Sequence, residues 1–421
     1  MKKRPLVLFV TYGGGHVSMV LPVMRALAEQ GVADGLVLAL TSAAEATRAA
    51  GMPTLQFKDF LMEADAQALT WGAELAVGLD PGGRVDPLET RAYLGLSFQD
   101  SVFAHGLTQA KAMYAQYGRH CFLPVPTLRR ILQKVQPDAV VITNSPRAER
   151  AAGIAARELG ISALCINSMF AIDEIAWLGK PNFCDVVCVL SESIRQNFVA
   201  SGRLPEEVVV TGNPAFDELA RDDFKHAGRL RRAQLPAGAS QVLLWASQPE
   251  YVSHPTAPGL QGDPNLPRRI LAQMLKWAGA MPNRHLLIRP HPNEQIQDPH
   301  VPYATLVPPS LCEVAVALHA CDAVATMTST VSLEARALGL SVLQVRGSIF
   351  DHSMPLAIMG FARECKVEQV PQAIEALFGQ LAVLSSATAL QHKGNAARRV
   401  AQQIEKLLMR DQLKSTTADL D

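Results

Sequence analysis

The chain has 421 residues, of which 48% are hydrophobic and 19% are charged, and its 39 basic residues equal its 39 acidic residues in number. This length is too great for one ordinary hydrophobic core and predicts two domains or three. The neutral balance excludes a global field that would draw the protein onto nucleic acid or an anionic membrane.

The seven cysteines are scattered among apolar neighbours without a zinc-ligand pattern, which indicates buried, reduced thiols. The apolar run at 6–10 is too short for the core of a signal peptide. No stretch approaches the roughly twenty apolar residues of a membrane span. We therefore expect a cytoplasmic protein that binds no nucleic acid and has no membrane span, while peripheral association with a membrane stays open.

Strands and helices alternate along the first half of the chain, which predicts a parallel sheet with helices on both faces. Residues 58–135 are less regular, with a loop at 78–83 and an aromatic segment at 93–117 that we interpret as helices capping a ligand cleft. Strands are predicted at 6–10, 36–40, 139–143, 163–166, 186–190 and 208–211. Helices are predicted at 17–30, 148–159 and 191–201.

Charged residues cluster at 221–223 and 229–232, ahead of a Pro-Ala-Gly turn, and we interpret 221–240 as a helix and linker between domains. A second alternating set follows, and the pattern is helical from residue 367 onward. Strands are predicted at 242–246, 286–288, 323–326 and 342–345, and helices at 266–279, 311–319 and 331–338. The predicted organisation is an N-terminal Rossmann-like domain at 1–220, a linker at 221–240, a C-terminal Rossmann-like domain at 241–385, and a C-terminal helix with a flexible tail at 386–421.

Three glycines and a histidine, Gly13, Gly14, Gly15 and His16, follow the first predicted strand and open a helix. Glycines at this point leave the N–H groups of the helix free to meet a ligand at the carboxyl end of a parallel sheet. The spacing is neither that of the dinucleotide fingerprint nor that of the P-loop. The alternative is a tight strand-to-helix turn in which the histidine only caps the helix.

Arg289 and His291 alternate on a loop that Pro290 and Pro292 hold extended, directly after a predicted strand. A guanidinium and an imidazole on one rigid loop bind phosphate oxygens and stabilise a departing negative charge. The alternative is a surface loop whose prolines only end a strand. The crowding of titratable groups at one strand end favours the functional interpretation.

Thr328, Ser329 and Thr330 follow the next predicted strand and open a helix, and Glu334 lies about one turn further on. The hydroxyls and the N–H groups of the helix start predict an anion site, because a plain N-cap would explain only one of the hydroxyls. The Glu334 carboxylate is placed to accept hydrogen bonds from two ribose hydroxyls. Ser247 occupies the end of the strand predicted at 242–246.

The order of these motifs, together with the Val-Thr-Gly-Asn-Pro-Ala-Phe-Asp junction at 210–217, resembles the GT-B superfamily of nucleotide-sugar glycosyltransferases and the related UDP-N-acetylglucosamine 2-epimerases. The resemblance covers nearly the whole chain in layout. It implies an α/β protein with two Rossmann-like domains that face each other across a deep cleft, with the donor nucleotide held mostly on the second. It also implies that no metal or other cofactor is needed, with helix N-termini and Arg289 taking the role of a cation.

The same resemblance implies roles for individual residues. Donor binding is assigned to the second domain and to the glycine loop that borders the sugar, and the residues are Ser247, Arg289, His291, Thr328, Ser329, Thr330, Glu334, Gly14 and Gly15. His291 would also stabilise the leaving nucleotide. His16 is predicted as the base that deprotonates the acceptor, because an imidazole titrates near neutral pH. Asp100 is the alternative base.

Transferases and epimerases demand different chemistry. A transferase needs one base for the acceptor hydroxyl, whereas an epimerase must remove and return a carbon-bound proton and therefore needs carboxylates near the sugar. The acidic residues of the epimerases follow two strands of the first domain, where this chain has Asn-Ser at 144–145 and again at 167–168. Amides and hydroxyls do not perform that proton chemistry at neutral pH.

The sequence therefore predicts a metal-independent glycosyltransferase that moves a sugar from a nucleotide-sugar donor to a hydroxyl acceptor in surface polysaccharide or glycoconjugate synthesis. The loop at 289–292 is also similar to the His-Pro motif of bacterial sialyltransferases and related polysaccharide enzymes, which use CMP-activated donors. UDP- and CMP-linked donors both stay open. The alternatives are an epimerase, which the loop at 291–293 and the 212–217 segment also resemble, and a non-catalytic protein that binds a nucleotide sugar.

Overall fold

The computed structural model describes residues 4–79, 85–254, 259–379 and 394–418. The chain forms two compact units, one of Met1–Ala215 with Asn395–Asp421 and the other of Phe216–Gly394. Each unit is a parallel sheet with helices packed on it, so the prediction of an α/β chain with two Rossmann-like domains is confirmed. Parts of two predicted segments, 80–83 of the loop and 386–393 with 419–421 of the C-terminal region, lie outside the described residues.

The sheet of the first unit has seven parallel strands in the order β3-β2-β1-β4-β5-β6-β7. The winding direction therefore reverses between β1 and β4, which pair directly with each other. Ligands of open α/β sheets bind beyond the carboxyl ends of the strands at such a reversal. The strands are β1 (Leu6–Thr11), β2 (Asp34–Ala39), β3 (Thr54–Leu55), β4 (Ala139–Thr143), β5 (Ser162–Ile166), β6 (Val186–Val189) and β7 (Val208–Val210).

Nine helices of the first unit precede its junction with the second, counted over the described residues and leaving aside short 3-10 turns. The predicted aromatic segment at 93–117 is helical and falls within α4 and α5. The helices are α1 (Gly15–Gln30), α2 (Ala43–Ala49), α3 (Ala66–Ala76), α4 (Pro87–His105), α5 (Leu107–Tyr117), α6 (Val125–Val135), α7 (Ala148–Glu158), α8 (Ile175–Leu178) and α9 (Glu192–Ala200).

The second unit has a six-stranded parallel sheet in the order β10-β9-β8-β11-β12-β13, with its reversal between β8 and β11. Separate apolar clusters cover the two faces of this sheet, as expected for strands buried on both sides. The strands are β8 (Gln241–Ala246), β9 (Arg284–Arg289), β10 (Ala304–Leu306), β11 (Ala323–Thr326), β12 (Ser341–Val345) and β13 (Arg363–Cys365). The helices are α10 (Asp222–Ala233), α11 (Leu266–Gly279), α12 (Val314–Ala320), α13 (Val331–Ala337) and α14 (Val370–Gly379).

The segment interpreted as a linker at 221–240 contains α10, which is an integral part of the second unit. Its first turn carries Asp222 and Asp223 and its last turn carries arginines, so both ends suit the helix dipole. Gly228 lies so close to α12 that a Cβ there would come within 2.3 Å of the His319 Cβ. The His319 Nε2 also lies 2.8 Å from the Leu219 carbonyl oxygen. The helix is therefore packed rather than free.

The last helix, α15 (Ala396–Ala418), belongs to the first unit rather than to the second. Its apolar face, which includes Val400, Ile404 and Leu408, is buried in the same core as Val20 of α1 and Val141 of β4. The C-terminal helix predicted within 386–421 is present and continues to Ala418, and the flexibility of the tail stays a prediction.

Two further predictions from the sequence are buried, reduced cysteines and the lack of a membrane span. Each of the seven cysteines is free, and all except Cys121 are buried. None of the helices described in 4–79, 85–254, 259–379 and 394–418 combines the length and apolar character of a membrane span.

Candidate active site

The glycine loop after β1 is shaped by two backbone requirements. A Cβ at Gly13 would lie 2.2 Å from the Ser42 Oγ, so a side chain does not fit there. Gly14 has a φ of 66°, which a residue with a side chain adopts only with strain. Open space surrounds the position that a Cβ on Gly15 would take. The contact of Gly14 and Gly15 with a sugar stays a prediction.

His16 lies in the first turn of α1 and reaches across to the end of β4. Its Nδ1 is 2.5 Å from the Thr143 Oγ1 and 3.7 Å from the Glu149 Oε2. The side chain keeps 31% exposure, whereas Glu149 is fully buried. The ring is therefore tied to the neighbouring strand instead of capping its own helix.

A carboxylate that sequence reasoning missed, Glu174, lies in the same region of the first unit. Its Oε1 accepts a hydrogen bond of 3.2 Å from the Asn144 Nδ2, directly after β4. Burial raises the pKa of the Glu174 carboxyl, while hydrogen bonds, that from Asn144 among them, and the charge of His16 act in the opposite direction. The residues after β4 and β5 are amides and hydroxyls, as the sequence says, but the longer loop after β5 brings a carboxylate back to them.

The backbone of this longer loop shows why Glu174 returns to the strand ends. Ala171 is buried with a φ of 53°, a left-handed conformation that costs energy for a residue with a side chain. The Asn144 Oδ1 accepts a hydrogen bond from the Ser168 N–H, and the Asn213 Nδ2 donates to the Ser168 carbonyl oxygen. The loops after β4, β5 and β7 are thus fixed to one another.

Aromatic and cationic groups lie beside His16. The Tyr12 ring meets the His16 ring edge to face, with centroids 6.4 Å apart. The Tyr12 hydroxyl is 2.6 Å from the Tyr93 hydroxyl, and both rings are buried. The Arg147 guanidinium lies 4.5 Å from the centre of the Tyr12 ring. Arg147 thus brings positive charge to the region of the predicted base.

Asp100, the alternative base, has a structural role. It lies inside α4 and is almost fully buried. Its Oδ2 accepts a hydrogen bond of 2.9 Å from the Thr127 N–H, which is in the first turn of α6. An orphan N–H at a helix start is satisfied in this way. Asp100 therefore caps α6, and its assignment as the alternative base stays a prediction.

At the reversal of the second sheet, the loops after β8 and β11 are joined by two hydrogen bonds. The Gln248 side chain donates to the Thr328 Oγ1 at 2.6 Å and accepts from the Thr328 N–H at 3.0 Å. Gln248 is itself buried. Thr328 is therefore fixed at the strand end where a ligand is expected, and its hydroxyl oxygen already has one donor.

Arg289 is the last residue of β9, and only one nitrogen of its guanidinium, Nη1, donates hydrogen bonds to described residues. Its Nη1 donates to the Cys312 carbonyl oxygen at 2.6 Å and to the Val307 carbonyl oxygen at 3.4 Å. Burial lowers the pKa of this guanidinium, and the Glu334 carboxyl acts against that shift. No partner within the described ranges engages Nε or Nη2. Backbone carbonyl groups thus hold one edge of the forked guanidinium. The other edge can donate hydrogen bonds to an anion.

The loop after Arg289 fixes the tautomer of His291. The Asn293 N–H donates to the His291 Nδ1 at 3.1 Å, so Nδ1 is an acceptor and the neutral ring carries its proton on Nε2. Glu294 holds this loop to β8, because it accepts from the His291 N–H at 3.2 Å and from the Ser247 Oγ at 3.0 Å. His291 therefore presents an N–H donor, while the Ser247 hydroxyl proton is already used.

The hydroxyl cluster at 328–330 is less uniform than the sequence indicates. Ser329 Oγ accepts a hydrogen bond from the Val331 N–H at 3.3 Å. Thr330 is the N-cap of α13, but its side chain is exposed and makes no capping hydrogen bond. An anion site that uses these hydroxyls stays a prediction.

Glu334 lies in the first turn of α13 without a side-chain hydrogen bond to any described residue. Burial raises the pKa of its carboxyl to about 7, and the positive charge of Arg289 acts against this shift. A half-buried carboxyl without a donor is costly unless a ligand supplies one. The side chain is thus suited to two adjacent hydroxyls, such as those of a ribose.

Comparison with known proteins identifies the family of the chain. The model of the family described as UDP-N-acetylglucosamine 2-epimerase matches residues 108–405. The chain belongs to this family. The matched region contains the candidate residues of the second unit as well as Thr143, Glu149 and Glu174, while His16 precedes it. No curated protein sequence matches the chain significantly.

Solved structures agree on the fold. The UDP-GlcNAc 2-epimerase from Neisseria meningitidis, bound to UDP-GlcNAc, superposes with a TM-score of 0.59 at 13% identity over 95% of this chain and 100% of that one. The UDP-GlcNAc 2-epimerase from Methanocaldococcus jannaschii gives 0.57 at 11% identity, over 95% and 99%. The glycotransferase of kitacinnamycin gives 0.56 at 15% identity, over 97% and 100%. The GT-B fold, which the motif order implies, is confirmed.

Proposed function

We propose that this protein is an epimerase-type enzyme that acts on a UDP-linked N-acetylglucosamine. Epimerisation at carbon 2 removes a proton from one face of that carbon and returns a proton to the other face, so a base and an acid are both required. The observation that carries the proposal is Glu174, which lies within electrostatic range of His16 in the first unit. Together they are a carboxyl and an imidazole in one region of the first unit, and both kinds of group serve as general acids and bases.

The raised pKa of Glu174 supports its part in this pair. A carboxyl whose pKa lies above its ordinary value holds its proton closer to neutral pH and is a better acid or base there. The absence of carboxylates directly after β4 and β5 favoured a transferase from sequence. Glu174 answers that objection, because its carboxylate accepts a hydrogen bond from Asn144, the first residue after β4.

The second unit is proposed to hold the nucleotide. The free edge of the Arg289 fork and the Nε2–H of His291 are hydrogen-bond donors suited to diphosphate oxygens. The Glu334 carboxylate would accept the hydroxyls of the ribose. Gln248 and Glu294 are assigned a supporting role, because their hydrogen bonds hold the loops that carry these groups.

We also propose that the reaction needs no bound metal. The positive charge of Arg289 and the hydrogen-bond donor of His291 would stabilise the negative charge that develops on a departing diphosphate. Within the described part of the chain, no three His, Cys, Asp or Glu side chains lie together as a metal site requires. Activity should therefore survive an excess of EDTA, and a loss that magnesium restores would contradict this part of the proposal.

A glycosyltransferase is the second candidate, since a single base such as His16 suffices to deprotonate an acceptor hydroxyl and the fold is shared with a glycotransferase. Its donor would be UDP- or CMP-linked, and its acceptor would belong to a surface polysaccharide or glycoconjugate. A protein that binds the nucleotide sugar without turnover is the third candidate.

One experiment separates the three candidates. The purified protein is incubated with UDP-GlcNAc in D2O without acceptor, and the sugar is followed by proton NMR. An epimerase incorporates deuterium at carbon 2 and forms the C2 epimer, and Glu174→Gln should slow this by roughly a hundredfold. Absence of exchange in the wild type, with UDP-GlcNAc shown to bind by a thermal shift, would overturn the proposal. UDP release only upon adding an acceptor would then indicate a transferase.

A further inference from the structure

Three side chains, joined by hydrogen bonds, connect the exposed edge of the first unit to its interior. His16 Nδ1 is 2.5 Å from the Thr143 Oγ1, and that hydroxyl is 2.5 Å from the Glu149 Oε2. Glu149 is fully buried, and two backbone groups also donate to it, the Tyr12 N–H at 2.9 Å and the Ser145 N–H at 2.8 Å. We call His16, Thr143 and Glu149 the relay.

The surroundings of Glu149 set the direction of the hydrogen bonds in the relay. Donors approach both carboxylate oxygens, as expected for an ionised buried carboxylate. A threonine hydroxyl has a single hydrogen, and placing it toward Glu149 leaves the Thr143 oxygen as an acceptor. The opposite direction would set two lone-pair oxygens 2.5 Å apart with no hydrogen between them. The His16 Nδ1 must therefore carry the hydrogen that Thr143 accepts.

The relay follows from the topology of the sheet. Thr143 is the last residue of β4, which pairs with β1, and His16 lies in the helix that follows β1. Glu149 lies in the first turn of α7, where the helix dipole also favours a negative charge. The other charged or titratable groups around the ring are Glu174, Tyr12 and Arg147, and among the described residues none of these three forms a hydrogen bond with the His16 Nε2.

We propose that Thr143 and Glu149 are positioning residues that hold His16 as the Nδ1–H tautomer and turn Nε2, with its lone pair, toward the substrate. The tautomer of a histidine is set by the hydrogen bond of its other nitrogen. When Nε2 takes a proton from the substrate, the buried Glu149 carboxylate stabilises the imidazolium through Thr143. The catalytic consequence rests on the proposed function, whereas the tautomer does not.

The test uses the full chain labelled with 15N in its histidines. Long-range proton–nitrogen spectra at a pH where the ring is neutral distinguish the two tautomers, and the His16 signals are identified by their loss in His16→Gln. We expect a protonated Nδ1 in the wild type. Thr143→Val, which keeps the shape but lacks the hydroxyl, should release the ring to the other tautomer or a mixture. Thr143→Ser should restore the wild-type spectrum.

Two controls protect this test. Thr47→Val removes a different buried hydroxyl of the first unit, one that donates to the Ala44 carbonyl oxygen, and should leave the His16 signals unchanged. Melting temperatures show that each variant is folded. A wild-type ring protonated on Nε2, or a tautomer that survives in folded Thr143→Val, would overturn the relay.

The kinetic arm connects the relay to catalysis. In the deuterium-exchange assay, Thr143→Val should lower kcat by about tenfold or more with KM nearly unchanged, and Thr143→Ser should recover most of the loss. Normal kcat in Thr143→Val with a changed tautomer would overturn the positioning role. If the wild type shows no exchange, the proposed function fails while the tautomer result still decides the relay.

Discussion

The two units share one sheet topology, and the side chains at their reversal points differ in how they are engaged. In the first unit, His16 is connected to the buried carboxylate of Glu149 through Thr143. In the second unit, Arg289 keeps one edge of its fork open, His291 keeps its Nε2–H, and the Glu334 carboxyl has no donor among the described residues. A network that reaches the core tunes proton transfer, whereas open donors and acceptors suit binding. Under the proposed function, the same fold carries chemistry in the first unit and recognition of the nucleotide in the second.

Removal of the His16 imidazole should have the largest effect. We expect His16→Ala to lower the rate of turnover by roughly a hundredfold or more, with nucleotide affinity retained, because the group that exchanges the proton is lost. His120→Ala, which removes an exposed histidine of the same unit, is the matched control. Near-normal turnover in folded His16→Ala would remove His16 from the chemistry and leave Glu174 as the next residue to test.

Removal of the donor groups in the second unit should give the opposite pattern. Arg289→Ala and His291→Ala should each weaken UDP binding, measured by calorimetry, by about 2–4 kcal/mol because a charged hydrogen bond to phosphate is lost. Arg269→Ala, an exposed arginine of α11 paired with Asp263, serves as control. Unchanged UDP affinity and unchanged rate in both variants would exclude this loop from the mechanism.

The smallest effect should be the pH dependence that Glu334 gives to nucleotide binding. Its pKa of about 7 means that the carboxyl is largely protonated at pH 6 and largely ionised at pH 8. Since two ribose hydroxyls need the ionised form, UDP affinity should rise by about tenfold between these pH values. Glu334→Gln should bind more weakly at pH 8 and lose this rise.

The neighbours of Glu334 require one further variant in that experiment. The charge of Arg289 acts on the Glu334 carboxyl, and His291 lies on the same loop as Arg289, so the contribution of its imidazole is tested separately. His291→Gln should therefore keep the Glu334-dependent rise in UDP affinity. A pH dependence that disappears in His291→Gln and persists in Glu334→Gln would assign the effect to the histidine and contradict our assignment.

The sequence was sufficient to predict the longer strands and the residues at which they end. All ten predicted strands exist within one or two residues, because buried parallel strands are continuous apolar runs. The strands that were missed, β3, β10 and β13, are edge strands of two or three residues, too short to show a pattern. The segment at 221–240 was misinterpreted because charge alone does not reveal that α10 packs on α12.

The sequence did not show which side chains form hydrogen bonds with each other. The Asp-Glu pair at 173–174 was visible, but its return to Asn144 depends on the left-handed turn at Ala171. Glu149 lies within a predicted helix, and nothing in the sequence marks it as the acceptor for Thr143. The residues directly after β4 and β5 are amides and hydroxyls, whereas the carboxylate of Glu174 arrives from further along the loop.

The position of α15 has a consequence for the order in which the protein is made. The chain leaves the first unit after Ala215 and rejoins it at Asn395, so the second unit is inserted within the first. The residues of α15 that fill the first core, such as Val400 and Ile404, are synthesised only after the whole second unit. The second unit, whose residues are contiguous, is complete as soon as it emerges from the ribosome. The amino-terminal unit, although begun first, therefore finishes folding after the second unit, and a nascent chain carries its uncovered apolar face until α15 has been made.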